Sequence, residues 1–208
     1  PSFWFCRPVP NFSANAPSSN NYTRYNPLFA LSYTKYMQQI GIYAGSFDPI
    51  HQGHLSFALE SIKSCQLDKV IFLPEPVPRA KYNVSPLSQR IQQIQMMIRP
   101  YPSLDVLHLT SSQFTVNNTL AEIQKRFENT KLTLLVGSDV ALRLHTWSGI
   151  KELLSACDVS IGLRSSNTIN EVTKQISRLQ KLSPMTNFTI VQTNHASLTS
   201  SGFRNQNK

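Results

Sequence analysis

The chain has 208 residues, 40% of them hydrophobic, which suits one sizeable domain with a buried core, alone or with a tail. No apolar run approaches the ~18 residues of a membrane helix, and Cys6, Cys65 and Cys157 stand far apart with no C-x-x-C, which argues against a disulfide scaffold and fits a reducing, cytoplasmic setting. The net charge of +9 attracts anions, but it has no dense Lys/Arg block and a third of it, Arg7, Arg24 and Lys35, sits in residues 1–36; a small anionic ligand is expected, not nucleic acid or a membrane surface.

Residues 1–36 are rich in Asn, Ser, Pro and Tyr, lack acids and show no sustained period. The chain does not begin with Met, and Met37 stands just before the first strand pattern. The segment is expected to be a poorly ordered extension; a targeting peptide is the competing reading.

From Gln38 onward strand and helix patterns alternate. "IGIYA" (40–44) reads as a buried strand, and Leu55, Ala58, Ile62 and Cys65 share one helical face. "KVIFLP" (69–74) is a strand stopped by proline; Ser85 is the expected N-cap of the next helix, with Pro86 in its first turn. Leu87, Ile91, Ile94 and Ile98 mark that helix, which Pro100 ends. "LDVLHL" (104–109) is a strand, Leu120, Ile123 and Phe127 mark a helix, and "LTLLVG" (132–137) is a strand. "SGIKELLSAC" (148–157) is a helix and "VSIGLR" (159–164) a strand; Ile169, Val172, Ile176 and Leu179 mark a helix before the strand "FTIVQT" (188–193). Continuous apolar strands alternating with helices predict an α/β, Rossmann-like, doubly wound parallel sheet in a single domain spanning 37–208. Ligands of such sheets lie at the carboxyl ends of the strands, near the switch point.

"GSFDPIHQGH" (45–54) falls at such an end, between the first strand and its helix. A helix N-terminus there offers unpaired N–H groups and partial positive charge to a phosphate. Gly45 and Gly53 admit close backbone approach, His51 and His54 can donate ring N–H groups, and Phe47 is expected to plug the loop onto the core. The spacing is neither a dinucleotide fingerprint nor a P-loop. A zinc site lacks a third ligand, and a purely structural turn is the bland alternative.

The same stretch resembles the nucleotidyltransferase superfamily, whose signature loop is G-x-F-D-P-x-H-x-G-H, and within it the bacterial nicotinate-nucleotide adenylyltransferases. "LPEPVPRAKYNVSPLSQRIQQIQ" (73–95), "FTVNNTLAEIQKRF" (114–127), "LLVGSDVALRLHTWSGIKELL" (134–154) and "LTSSGFR" (198–204) extend the resemblance over most of 38–204. It departs at Pro78-Arg79-Ala80-Lys81, where the family carries Pro-Pro-His-Lys, and after Arg204, where the family continues into a last helix and this chain ends at Lys208; a truncated C-terminal helix is expected.

The resemblance implies transfer of AMP from ATP to nicotinate mononucleotide, giving the deamido dinucleotide and pyrophosphate. His51 and His54 would meet the ATP phosphates, beside the amides near Ser46 and Phe47. Arg204, with Ser200 and Ser201, would hold pyrophosphate, Asp139 the adenosine ribose, and Mg²⁺ would arrive with ATP. Trp147 would stack on the pyridine, with Thr115 and Thr119 near the acceptor and Arg79 and Lys81 reaching its phosphate. Each has a plainer reading: a helix N-cap for Ser138 or Asp139, a core staple for Trp147, a helix start for Thr119, solvated charges for Arg79 and Lys81. His108, His145 and His195 carry no motif, and Arg164 is a weak phosphate candidate. Another acceptor (phosphopantetheine, or a cytidylyltransferase substrate) and a non-catalytic nucleotide-binding module are the alternatives. The length leaves no room for a tRNA-binding body, and oligomeric state is open, a homo-oligomer included.

Overall fold

The structure, a computed structural model, describes residues 37–78, 83–108, 113–163 and 168–192. The expected extension at 1–36 therefore lies outside the described residues, as do Arg79, Lys81, Arg164, His195 and the whole 198–204 motif.

Six strands, β1 (Gln38–Gly45), β2 (Lys69–Pro74), β3 (Leu104–Val106), β4 (Thr130–Gly137), β5 (Cys157–Leu163) and β6 (Phe188–Gln192), form one sheet in the order β3-β2-β1-β4-β5-β6. Every pairing is parallel. The order reverses between β1 and β4, so the two halves wind away from that line, as the alternating pattern predicts.

Alternation within the strands assigns the two faces. Val70 and Phe72 of β2 and Leu135 of β4 point to one side, beneath α1 (Gln52–Ser64) and α2 (Leu87–Ile98). Ile40, Ile42, Ile71, Leu73, Leu132, Leu134, Val136, Val159 and Ile161 point to the other. There they meet α3 (Ala121–Arg126), α4 (Ser138–Ala141), α5 (Ile150–Ala156) and α6 (Ile169–Gln180). Under α1 the sheet is thinned by Gly162, where an added Cβ would lie 2.9 Å from the Phe57 ring. Beside that contact a buried hydroxyl pair, Ser61 and Ser160, joins α1 to β5 at 2.9 Å.

Several expected details change. Ser85 does not cap α2: Pro86 holds the N-cap position without a side-chain bond, while Ser85 gives its N–H to Asp48 and its carbonyl to Arg90. Proline carries no side-chain acceptor, so the first-turn N–H groups of α2 receive no side-chain cap from this position. The fully buried stripe of α2 is Arg90, Ile94 and Ile98, with Leu87 and Ile91 only half-buried. On α6, Gln175 is buried against the His145 ring at 2.8 Å, whereas Ile169 is exposed. β3 ends at Val106, and β5 begins at Cys157, two residues before its expected start. The helix expected over 148–157 begins at Ile150, because Gly149 takes a left-handed φ of 77°. A five-residue π-helical turn, Val116–Leu120, precedes α3. Among the described residues no helix is long and apolar enough to cross a membrane.

Candidate active site

β1 delivers the chain to the carboxyl edge at Gly45, and six residues later α1 begins with His51 as its N-cap. Phe47 holds this corner down. Its ring is 1% exposed and stands edge-on to Tyr43 and Phe72, with centroids 5.1 and 5.3 Å away. The residue sits at φ 46°, in the left-handed region that a bulky side chain occupies only when its surroundings hold it. A Cβ on Gly45 would come within 3.2 Å of that ring, so Gly45 serves the plug as well as any ligand. Asp48–Pro49 is a cis peptide.

The two histidines close a capping box. His51 Nδ1 accepts the Gly53 N–H at 3.1 Å, and His54 Nδ1 accepts the His51 N–H at 3.2 Å. The helix entrance normally uses Ser or Thr with Glu or Gln for this pairing; imidazoles do the same through Nδ1. That use fixes the tautomer. With both Nδ1 atoms accepting, a neutral ring carries its proton on Nε2, the distal nitrogen. The rings lie 3.8 Å apart, tilted by 33°. His51 is buried and His54 half-buried, with Phe47 edge-on to the latter at 5.1 Å. The expectation of unpaired N–H groups at this helix entrance is met only in part. The Gly53 N–H goes to His51 Nδ1, and those of His54 and Leu55 go to the His51 carbonyl. Ring N–H donors, more than helix amides, would suit an anion with several oxygens.

A buried cation that the periodicity did not single out ties this corner to its neighbours. Arg90, 1% exposed, donates to the carbonyls of Ser46 (2.7 Å), Ser85 (2.9 Å) and Pro76 (3.2 Å). Burial pulls its pKa below the ordinary value, while the charges of Asp48 and Glu75 act the other way. The signal was present in the sequence. Arg90 stands one helical turn before Ile94 and two before Ile98, so it shares their buried stripe.

A cleft of about 630 Å³ opens beside the corner at the switch point. Ala44 and Gly45 of β1, Leu134–Gly137 of β4, Thr115, Trp147, Arg143 and Glu75 line it. Trp147 is half-buried, packs on the core as the staple reading expects, faces Phe114 at 6.1 Å and also lines the cleft. Thr115 caps the π-helical turn, its Oγ1 accepting the Asn118 N–H at 3.3 Å. Thr119 is 1% exposed; its hydroxyl accepts the Thr115 N–H and donates to the Gln113 carbonyl. Glu75 accepts the Phe114 N–H at 2.9 Å. Arg143, exposed, donates Nε to the Asp139 carbonyl at 3.2 Å. Gly137, not Ser138 or Asp139, is the N-cap of α4, which leaves Asp139 exposed in the first turn. Glu75 and Arg143 lie inside the segments 73–95 and 134–154 that carry the family resemblance, but flanked by prolines and by leucines respectively, neither shows in the sequence that it lines a cleft.

The structure thus brings His51, His54, Gly45, Ser46, Phe47 and Gly53 to one corner and Gly45, Thr115 and Trp147 to one cleft wall. Among the described residues no group of three or more His, Cys, Asp or Glu could hold a metal ion. With Nδ1 engaged, a neutral imidazole offers an N–H donor, which fits a phosphate oxygen.

Comparison with known proteins identifies a family and a shared fold. The Cytidylyltransferase-like family model matches residues 42–206. A protein of Clostridium novyi (strain NT) named Probable nicotinate-nucleotide adenylyltransferase is 29% identical over 155 residues, covering 70% of this chain and 75% of its own. One of the same name from Thermoanaerobacter sp. (strain X514) is 30% identical over 151 residues, covering 69% and 71%. The fold matches Plasmodium falciparum nicotinic acid mononucleotide adenylyltransferase, solved in complex with NaAD, at a TM-score of 0.65 and 16% identity over 81% of this chain and 83% of that one. With the family model spanning the loop, the cleft and the strands that carry them, the chain belongs to the cytidylyltransferase-like family of nucleotidyltransferases.

Proposed function

We propose that the protein transfers AMP from ATP to nicotinate mononucleotide, forming deamido-NAD and releasing pyrophosphate. The observation that carries the reading is the pair of imidazoles, each held through Nδ1, beside a switch-point cleft walled by Trp147 and Phe114. The relatives named above supply the acceptor.

The acceptor's phosphate oxygen attacks the α-phosphorus. A P–O bond forms to it, the bond to the bridging α,β-oxygen breaks, and the electron pair leaves with pyrophosphate. The attacking phosphate is already ionised at neutral pH, so no strong base is needed and the work is positioning and charge neutralisation. In this assignment His51 and His54 donate Nε2–H to the triphosphate, strengthening as charge moves to the leaving group. The amides at Ser46 and Phe47 face the α-phosphate, Asp139 receives the ribose hydroxyls, and Trp147 stacks on the pyridine with Thr115 beside it. Arg204, Ser200 and Ser201 for pyrophosphate, and Arg79 and Lys81 for the acceptor phosphate, rest on family likeness alone. Mg²⁺ would come with ATP, held by phosphate oxygens and water, and would neutralise phosphate charge. Three dispersed cysteines support a cytoplasmic location.

Pyrophosphate release, measured with ATP plus nicotinate mononucleotide, its amide, or phosphopantetheine, and with CTP plus glycerol phosphate, tests the reading. Release is expected with nicotinate mononucleotide and ATP. Release only with CTP would assign a cytidylyltransferase instead, and retained ATP binding with no turnover of any pair would leave a binding module.

A further inference from the structure

We propose that Arg90 is a positioning residue that sets the distance between the bound nucleotide donor and its acceptor. The inference rests on the adenylyl-transfer reading. Burying a guanidinium costs more than burying an apolar side chain of the same size, so its retention in a stripe completed by Ile94 and Ile98 calls for a geometric reason. Its three acceptors belong to three separate segments: Ser46 after β1, Pro76 after β2 and Ser85 before α2. All three segments meet at the ligand edge of the sheet.

The contacts continue outward in two directions. Toward the donor, the Ser46 carbonyl belongs to the peptide whose N–H is that of Phe47, in the corner that presents the histidine pair. Toward the acceptor, Pro76 follows Glu75. Glu75 gives its N–H to the Gly45 carbonyl at 2.9 Å and takes the Phe114 N–H at 2.9 Å, and Phe114 faces Trp147. One planar guanidinium therefore fixes the phosphate corner and the aromatic wall relative to one another. A lysine, a single point charge on a flexible stem, cannot span three carbonyls in this way. In-line transfer needs reacting atoms held about 3–3.5 Å apart, and about 1 Å of misplacement costs about 100-fold. That loss falls on turnover, since each substrate still finds its own subsite.

The test compares wild type with Arg90→Lys and Arg90→Met. It measures kcat, the KM for nicotinate mononucleotide and the affinity for a non-hydrolysable ATP analogue, with folding followed by near-UV circular dichroism. Both folded variants are expected to lose about 100-fold in kcat with each affinity within about threefold of wild type, and lysine is expected to restore nothing. Restoration by lysine would show that charge alone is used, and a loss confined to one substrate's affinity would show a subsite role; either overturns the assignment. Where neither variant folds, Glu75→Ala cuts the acceptor branch and leaves Arg90 in place; a kcat-dominated loss supports the proposal, and unchanged kcat refutes it. Wild type is scored first. An inactive wild type sinks the functional reading, whereas an active wild type with unaffected variants sinks the Arg90 assignment alone.

Discussion

His51 has two separable duties, and one substitution pair divides them. Its Nδ1 caps α1, and its Nε2 is assigned to the triphosphate. Asparagine places an acceptor oxygen where Nδ1 was and carries nothing at the Nε2 position, so His51→Asn keeps the cap and removes the distal donor. His51→Ala removes both. Loss of a side-chain N-cap costs about 1 kcal/mol, which for a domain of this size lowers Tm by about 2–4 °C. Loss of one donor aimed at transition-state charge costs about 10²–10³ in kcat. The expected outcome is that His51→Asn melts above His51→Ala by that interval, while both lose at least about 100-fold in kcat. Calorimetry and a pyrophosphate-coupled assay read the two effects on the same samples. Wild-type turnover in His51→Asn would remove the distal nitrogen from the chemistry. Equal melting of the two variants would remove the cap.

The Ser61–Ser160 pair is buried on both sides at 2.9 Å. Ser61→Ala strands a hydroxyl and is expected to cost about 1–3 kcal/mol in urea unfolding, whereas Ser61→Ala with Ser160→Ala together should recover part of the loss; simple additivity would contradict the pairing. Asp158 titrates lower than an ordinary aspartate: burial pushes its pKa up, but bonds from Lys131 at 2.6 Å and from the Asn187 N–H pull it down more strongly. A depressed carboxylate stabilises the fold above its unfolded pKa of about 3.9 and loses that contribution as pH falls through the lower folded value. Asp158→Asn should therefore melt below wild type at pH 7, with the gap closing in acid below about pH 4; a gap that persists there would contradict the assignment.

The sheet was legible because its strands are continuous apolar runs, and a parallel sheet covered on both faces demands such runs. β2, read from "KVIFLP", matches its observed bounds residue for residue. The β1–α1 corner was legible for a different reason, a dense local motif whose glycines, histidines and aromatic lie within ten residues. The connections that stabilise the corner were not. Arg90 lies 44 residues from Ser46 in the chain, and Glu75 lies 39 from Phe114, so no local window joins them. Arg90 also breaks the rule by which buried positions were sought, that they are apolar. Gln175 was passed over for the same cause, its amide being satisfied by His145 and not by solvent. The N-caps failed on chemistry that the pattern did not weigh: Pro86 takes the cap position at α2, and Gly137 takes it at α4.

The fate of the α-phosphorus tests the central claim most directly. ATP radiolabelled at that atom is incubated with the full chain and nicotinate mononucleotide, and the products are separated, counted for label and identified by mass. Transfer through the histidine corner predicts all the label in a dinucleotide of deamido-NAD mass, with pyrophosphate unlabelled and formed in equal amount. Label recovered as ADP or free AMP, or a dinucleotide formed at an undiminished rate by the chain with His51 and His54 both replaced by Asn, would contradict it.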